Sequence, residues 1–232
     1  MQAIVLAGGL GTRLRLAVPD LPKPMAPVAG RPFLAWVLDR LVEAGFASAV
    51  LAVGYRHEAI LDHFGGRYRG LPLYYSVEQT PLGTGGAMRL AAGHLAAGPV
   101  FVLNGDSYLA LDYGAMLQAH RHARAPMSLA VCSVPDVSRY GALELNGDRI
   151  QSFLEKGRAG PGFINAGVYL LAPEILQQIP ADEPFSFEQQ LLVPRVQEIR
   201  TVAFLTDGLF IDIGVPEDYA HAQQLFTGKD HA

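Results

Sequence analysis

The sequence predicts an α/β fold: a Rossmann-like, mostly parallel mixed sheet covered by helices on both faces, with an inserted antiparallel region. Three observations carry that expectation. Short runs that are apolar at every position alternate with segments of helical periodicity, as strands buried on both faces do. A glycine-rich turn, Gly8-Gly9, follows the first such run directly. In the second half, strand-like segments follow one another closely, and Asn146-Gly147 between two of them is a strong hairpin signal.

In chain order, residues 3–6 read as a buried strand. Residues 33–44 read as a helix, with apolar positions at Phe33, Leu34, Val37, Leu38, Leu41 and Val42, Pro32 at its start and Gly45 past its end. A strand at 49–53, a helix at 57–64 closed by Gly65-Gly66, a strand at 73–77 and a small-residue helix at 84–92 follow. Residues 100–103 are again wholly apolar, and 113–124 read as a helix. Strands are then expected at 128–134, 142–145, 150–154 and 163–171, and later at 202–205 and 210–213. Helices are expected at 173–179, 187–198 and 216–226. No repeat, linker or low-complexity tract divides the chain, so one domain over 1–232 is expected.

Composition narrows the function classes. Half of the 232 residues are apolar and only 17% are charged, against a typical ~25%, which excludes a disordered chain. The longest uncharged stretches, 90–105 and 159–173, are shorter than a ~20-residue span and are broken by Gly and Pro, so no membrane partner is expected. The net charge of -4 offers no basic excess for nucleic acid. The single cysteine, Cys132, lies in an apolar run and reads as a core residue. The amino terminus has no basic region and too short an apolar run for a signal peptide, so a soluble cytoplasmic protein is expected. A homodimer is the assembly considered. The seven histidines show no metal-site spacing, and no nucleophile pattern for a covalent intermediate is present.

The first buried strand runs into Gly8-Gly9-Leu10-Gly11-Thr12-Arg13. Glycines at the end of a buried strand let backbone N–H groups approach phosphates. A Walker loop is excluded because Thr12-Arg13 follows Gly11, and a dinucleotide fingerprint because Leu14 stands where its third glycine belongs. A plain strand-to-loop turn would explain Gly8-Gly9 alone. It does not explain Lys23 held between Pro22 and Pro24, where two fixed φ angles give a rigidity that a solvated lysine does not need.

The ordered set of motifs resembles the sugar-1-phosphate nucleotidyltransferases, or nucleotide-sugar pyrophosphorylases. It comprises Gly8-Gly9-Leu10-Gly11-Thr12-Arg13-Leu14, Pro22-Lys23-Pro24-Met25 with its continuation to Pro32, Asn104-Gly105-Asp106, and Phe153-Leu154-Glu155-Lys156. Ile164-Asn165-Ala166-Gly167-Val168-Tyr169 and Asp212-Ile213-Gly214-Val215-Pro216-Glu217-Asp218-Tyr219 complete it. Within that family, Gln79-Thr80-Pro81-Leu82-Gly83-Thr84-Gly85-Gly86-Ala87, Leu103-Asn104-Gly105-Asp106-Ser107-Tyr108 and Glu155-Lys156-Gly157 resemble the branch that transfers GMP from GTP to D-glycero-α-D-manno-heptose 1-phosphate. Gly157 replaces the proline that many relatives carry after the Glu-Lys pair, which argues against a simple hexose. Some relatives append a carboxy-terminal β-helix; the chain ends soon after Tyr219, so that module is not expected.

The resemblance implies the nucleotide-diphospho-sugar transferase fold, with 1–110 binding the nucleotide and 111–232 the sugar phosphate. It implies that a nucleoside triphosphate and a sugar 1-phosphate give a nucleotide-sugar and pyrophosphate. Arg13 would stabilise the triphosphate and the departing pyrophosphate, Lys23 would contact the α-phosphate region, and Lys156 would hold the sugar phosphate. Leu6, Ala7, Gly8, Gly9, Gly11 and Thr12 would line the nucleotide through the glycine turn, with Glu78, Gly83 and Thr84 near the base. A Glu78 carboxylate could accept both N1–H and the exocyclic amine of guanine, although uracil also offers one N–H. Gly141, Glu155 and Asn165 match positions that contact sugar hydroxyls. Asp106, expected to be catalytic, ends a buried strand. Asp212, between Ile211 and Ile213, would be expensive to bury unpaired, and a paired site holding Mg²⁺ accounts for both carboxylates. Glu217 and Asp218 read as charges at a helix start. The same reaction with UTP and N-acetylmuramate 1-phosphate, GTP and mannose 1-phosphate, or CTP and a phosphocholine-like acceptor is the alternative. A non-catalytic nucleotide-sugar sensor is disfavoured by the presence of Arg13, Lys23 and both aspartates.

Overall fold

The structure, a computed structural model, describes residues 1–9, 14, 18, 21–154, 157–181 and 183–227. It opens with β1 (Gln2–Leu6), a 3-10 turn at Lys23–Met25 and a small hairpin of β2 (Pro27–Val28) and β3 (Arg31–Pro32). Then come α1 (Phe33–Glu43), β4 (Ser48–Val53), α2 (His57–Phe64), β5 (Arg67–Tyr68), β6 (Leu71–Val77) and α3 (Gly83–Ala91). The middle holds β7 (Val100–Asn104), β8 (Ser107–Leu109), α4 (Tyr113–Ala123), β9 (Met127–Val134), β10 (Ala142–Asn146), β11 (Arg149–Phe153) and β12 (Gly162–Leu171). The last quarter has α5 (Pro173–Gln177), a π-helical turn at Phe187–Leu192 running into α6 (Val193–Arg195), β13 (Thr201–Thr206), β14 (Phe210–Asp212) and α7 (Pro216–Phe226).

Among the described residues, ten strands form one sheet in the order β10-β11-β13-β9-β12-β7-β1-β4-β6-β5. The block β7-β1-β4-β6 is parallel throughout. Beyond β7 the antiparallel β12 and the β10–β11 hairpin are added, as the strand-after-strand pattern of the second half predicts. The sheet separates two cores. Ala3 and Val5 of β1 face a cluster with Phe33, Trp36, Tyr113 and Phe226, while Ile4 faces one with Met88, Ile175 and Phe187. Period-2 alternation therefore buries both faces of one strand, and its three central positions, Ala3, Ile4 and Val5, must be apolar. Cys132 is buried, and burial pushes its thiol up to about 11. Trp36 is core, its indole N–H bonded to the Val28 carbonyl at 3.1 Å.

Two differences from the sequence reading bear on the site. Residues 187–198 are not one α-helix: the first turn widens to π geometry and α6 is a short segment around Pro194. Proline has no N–H to give the carbonyl of Gln190, and its ring crowds that carbonyl, so the turn before it widens. The second difference is β8, a three-residue strand that begins directly after Asp106 and pairs with β14 in a ribbon apart from the main sheet. This ribbon sets Asp212 opposite Ser107 in register, and Ile213 N–H donates to the Asp106 carbonyl at 3.0 Å.

Candidate active site

The carboxyl ends of β1, β4, β6 and β7 open into a cavity of about 800 Å³. Ligands enter open α/β sheets at that edge because the strands end there and backbone polar groups face outward. A second cavity of about 430 Å³ lies beside it, lined in part by β11, β12 and β14. The two share Asn104, Glu188 and Gly214 along a common wall.

At the junction stands a cation between two carboxylates. Lys23 Nζ is 2.5 Å from Asp106 Oδ2 and 3.5 Å from Asp212 Oδ1. Prolines on both sides fix the backbone of the 3-10 turn that carries Lys23, whose side chain is only 10% exposed. Asp106 follows β7, in a turn tied to β1 by Gly105 N–H donating to the Leu6 carbonyl at 2.8 Å. Asp212 ends β14 and accepts from Gly214 N–H at 2.5 Å. A Cβ on Gly214 would lie 2.8 Å from Asp212 Oδ1 and 3.2 Å from Lys23 Nζ, so only glycine leaves room for this contact. Burial and the charge of Asp106 push the Asp212 carboxyl above the usual carboxylate range, and the Lys23 ammonium pulls it back. Two carboxylates already arranged around one cation are an all-oxygen donor set suited to a hard divalent ion. Among the described residues no cluster of three or more His, Cys, Asp or Glu could hold a metal by itself. Asp106 and Asp212 would therefore supply part of a coordination shell completed by other oxygens.

At the far end of the larger cavity, Glu78 follows β6. Its Oε2 accepts from Leu82 N–H at 2.7 Å, and burial raises its carboxyl against that hydrogen bond. Gly8 is required beside it, since a Cβ there would sit 2.9 Å from Glu78 Oε1 and 3.2 Å from Gly54 N. The first turn of α3 is held from outside. Gly85 and Gly86 N–H both donate to the Phe185 carbonyl, at 2.8 and 3.2 Å, and Thr84 Oγ1 accepts from Phe187 N–H at 3.0 Å. Gly83, at φ +69°, lets this turn close against Phe185.

In the smaller cavity, Gly141 follows Tyr140, whose ring meets Phe210 edge-on. Arg139 forms a two-pronged pair with Asp218 at the start of α7, with Nη1–Oδ1 at 3.0 Å and Nη2–Oδ2 at 2.5 Å. Asn165 stands on β12 just before a register shift at Gly167, which takes φ +72° and passes close to Asn104.

The model of the nucleotidyl transferase family matches residues 2–228. The chain belongs to that family. It is 41% identical over 224 residues to a D-glycero-alpha-D-manno-heptose 1-phosphate guanylyltransferase of Aneurinibacillus thermoaerophilus, covering 97% of each chain. The corresponding enzyme of Campylobacter jejuni is 39% identical, over 95% of this chain and 98% of its own. A crystal structure of HddC from Yersinia pseudotuberculosis complexed with GMP-PN superposes with a TM-score of 0.86 at 37% identity, covering 97% of this chain and 99% of that one.

Within this family member the residues expected from sequence fall as follows. Leu6, Ala7, Gly8, Gly9, Lys23, Glu78, Gly83, Thr84 and Asp106 all line the larger cavity. Gly141, Asn165 and Asp212 line the smaller one. Gly11, Thr12, Arg13, Glu155 and Lys156 lie outside the described residues. The sequence reading missed Glu188, which lines both cavities, and the Arg139–Asp218 pair. Asp218 was expected only as a helix-start charge, and it is one, in the first turn of α7. Nothing in the spacing of two residues 79 apart signals that they pair.

Proposed function

We propose that this chain transfers GMP from GTP to D-glycero-α-D-manno-heptose 1-phosphate, giving GDP-heptose and pyrophosphate. The observation that carries this reading is the junction of two cavities at Lys23, Asp106 and Asp212. One cavity is large enough for a nucleotide and the other for a sugar, and their common wall is where the α-phosphate and the sugar phosphate would meet. The substrate names rest on the guanylyltransferases to which the chain is similar over nearly its full length.

In this reading a phosphate oxygen of the sugar attacks the α-phosphorus in line and pyrophosphate leaves. The chain supplies position and charge rather than a covalent intermediate. Glu78 accepts from the guanine edge, with its Oε2 already fixed by Leu82 N–H. The Gly8 turn brings backbone close to the nucleotide. Lys23 neutralises charge near the α-phosphate, with Arg13 on the triphosphate and Lys156 on the sugar phosphate. Asp106 and Asp212 would hold Mg²⁺, which when bound offsets the charge of the triphosphate. Gly141, Glu155 and Asn165 belong to the sugar subsite.

The test is a pyrophosphate-release panel crossing GTP, UTP, CTP and ATP with heptose, mannose, glucose and N-acetylmuramate 1-phosphates. GTP with the heptose phosphate is expected to give the highest kcat/KM. Equal use of UTP, or faster turnover of mannose 1-phosphate, would overturn the substrate assignment.

A further inference from the structure

We infer that Glu188 is a specificity-determining residue that binds a sugar hydroxyl through its Oε2, while Asn165 serves to position it. This rests on the reaction proposed above and assigns one more residue to its sugar subsite. Glu188 lies on the π-helical turn Phe187–Leu192, beside the wall that both cavities share. Its Oε1 accepts from Tyr169 O–H at 2.8 Å and from Asn165 Nδ2 at 3.1 Å. Asn165 Nδ2 also donates to the Tyr169 oxygen at 2.7 Å, and Asn165 Oδ1 accepts from Gly167 N–H at 2.8 Å. Both amide hydrogens of Asn165 are therefore committed inside the protein. Asn165, expected to contact a sugar hydroxyl, has no amide hydrogen left to offer it. Among the described residues, Glu188 Oε2 takes part in no hydrogen bond, so it is the acceptor this network presents to a ligand.

The network is rigid enough to discriminate. Tyr169 is 2% exposed and packs edge-on against Phe187, so its hydroxyl cannot swing to water. Phe187 N–H is in turn held by Thr84 Oγ1. An ionised carboxylate accepts only, so it favours hydroxyl donors and repels phosphate oxygens. That places a hydroxyl of the sugar against it, on the side of Asn165, which lines the smaller cavity alone.

Glu188→Gln separates the anchor from the contact. The Gln carbonyl can still accept from Tyr169 and Asn165, while its amine would turn the acceptor facing the ligand into a donor. With GTP and D-glycero-α-D-manno-heptose 1-phosphate, the sugar-phosphate KM is expected to rise about tenfold or more, the usual loss for a charged hydrogen bond. The GTP KM should stay within about twofold, and so should Tm within about 2 °C. Single-deoxy heptose 1-phosphates identify the hydroxyl: one analogue should be poor for the wild type and no worse than the parent sugar for Glu188→Gln. Tyr169→Phe, which removes the anchor and touches no ligand, should raise the same KM by less. An unchanged sugar-phosphate KM in Glu188→Gln, or a rise confined to GTP, would overturn the inference. Wild-type turnover tests the reaction itself, and the variant-to-wild-type KM ratio tests Glu188, so the two fail separately.

Discussion

Replacing Asp212 by Asn should cut turnover by about a hundred- to thousandfold while leaving the fold almost as stable as before. Asp212 Oδ1 lies 3.5 Å from Lys23 Nζ, and Asp106 Oδ2 lies 2.5 Å from the same nitrogen, so the two carboxylate oxygens are within roughly 6 Å of each other, the sum of those distances. At an effective dielectric of ~20, a charge pair at that first distance is worth on the order of 5 kcal/mol, and two like charges ~6 Å apart cost on the order of 3 kcal/mol. Asp212 is 37% exposed, so solvent shrinks both terms together. Neutralising the group loses the attraction, removes the repulsion and relieves the burial cost that raises its carboxyl. The balance comes to about 1 kcal/mol or less, or 2–4 °C in Tm for a chain of this size. Asn Oδ1 can still accept from Gly214 N–H, so the turn survives. Catalysis has no such cancellation. A carboxylate lost from a cation site costs about 3–4 kcal/mol of transition-state stabilisation, a hundred- to thousandfold in kcat. Pyrophosphate release at saturating substrates and a thermal melt decide the matter. Turnover near the wild-type rate, or a Tm loss beyond about 8 °C, would refute the reasoning.

Glu78→Gln should weaken GTP by about 1–3 kcal/mol, read as KM or by calorimetry, because one of the two guanine donors loses its charged acceptor. The same group predicts opposite pH trends for ligand and fold. Burial holds its carboxyl above the usual glutamate range. As pH falls through that raised value, GTP affinity should drop earlier than an exposed glutamate would allow. The free protein gains stability over the same interval, since a raised folded-state pKa means that the native state binds the proton more tightly; that contribution disappears as pH rises again. Gly8→Ala puts a Cβ 2.9 Å from Glu78 Oε1 and 3.3 Å from the Val53 carbonyl carbon, with Glu78 unable to retreat from Leu82. It should cost about 1–3 kcal/mol of stability and raise the GTP KM; a silent Gly8→Ala would show that the Gly8–Glu78 contact is slack.

Much of this architecture was legible because burial on both faces leaves a local mark. The four parallel central strands are apolar or small at nearly every position, and the helices between them keep a 3.6 period with proline or glycine punctuation. What escaped depends on distant pairing. β8 is three residues long, too short for a period to show, and exists because β14 joins it from a hundred residues on. The parallel pairing of β13 with β9 leaves no trace in either segment. The π turn was hidden because apolar spacing over 187–192 suits an α-helix equally well; the one signal was Pro194, which forbids an unbroken helix there. Site residues followed the same rule. Lys23 and Asp106 stand in compact motifs, whereas Glu188, Arg139 and Asp218 acquire their places only through β12 and α7.

Lys23 offers a last way to separate charge from chemistry. The whole chain carries -4, yet the substrates proposed for it are polyanions, so the relevant balance is local. With one ammonium facing two carboxylates, the described junction carries about one net negative charge, and Lys23 is already engaged by both of them. A second cation held by the carboxylates would reverse that balance and release Lys23 toward the phosphate. Lys23→Met, which keeps the length of the buried stem, removes the existing one. Breaking a buried pair in this way costs about 3–5 kcal/mol at full burial; with both carboxylates over a third exposed, about 1–2 kcal/mol is expected here. The variant should therefore melt several degrees below wild type in the presence of a chelator. Mg²⁺ alone, without nucleotide, should recover more Tm in Lys23→Met than in the wild type, where the ammonium competes for the same oxygens. Equal Mg²⁺ shifts in both proteins would mean that Lys23 and the metal do not contend for Asp106 and Asp212, and that the cation site must be sought elsewhere.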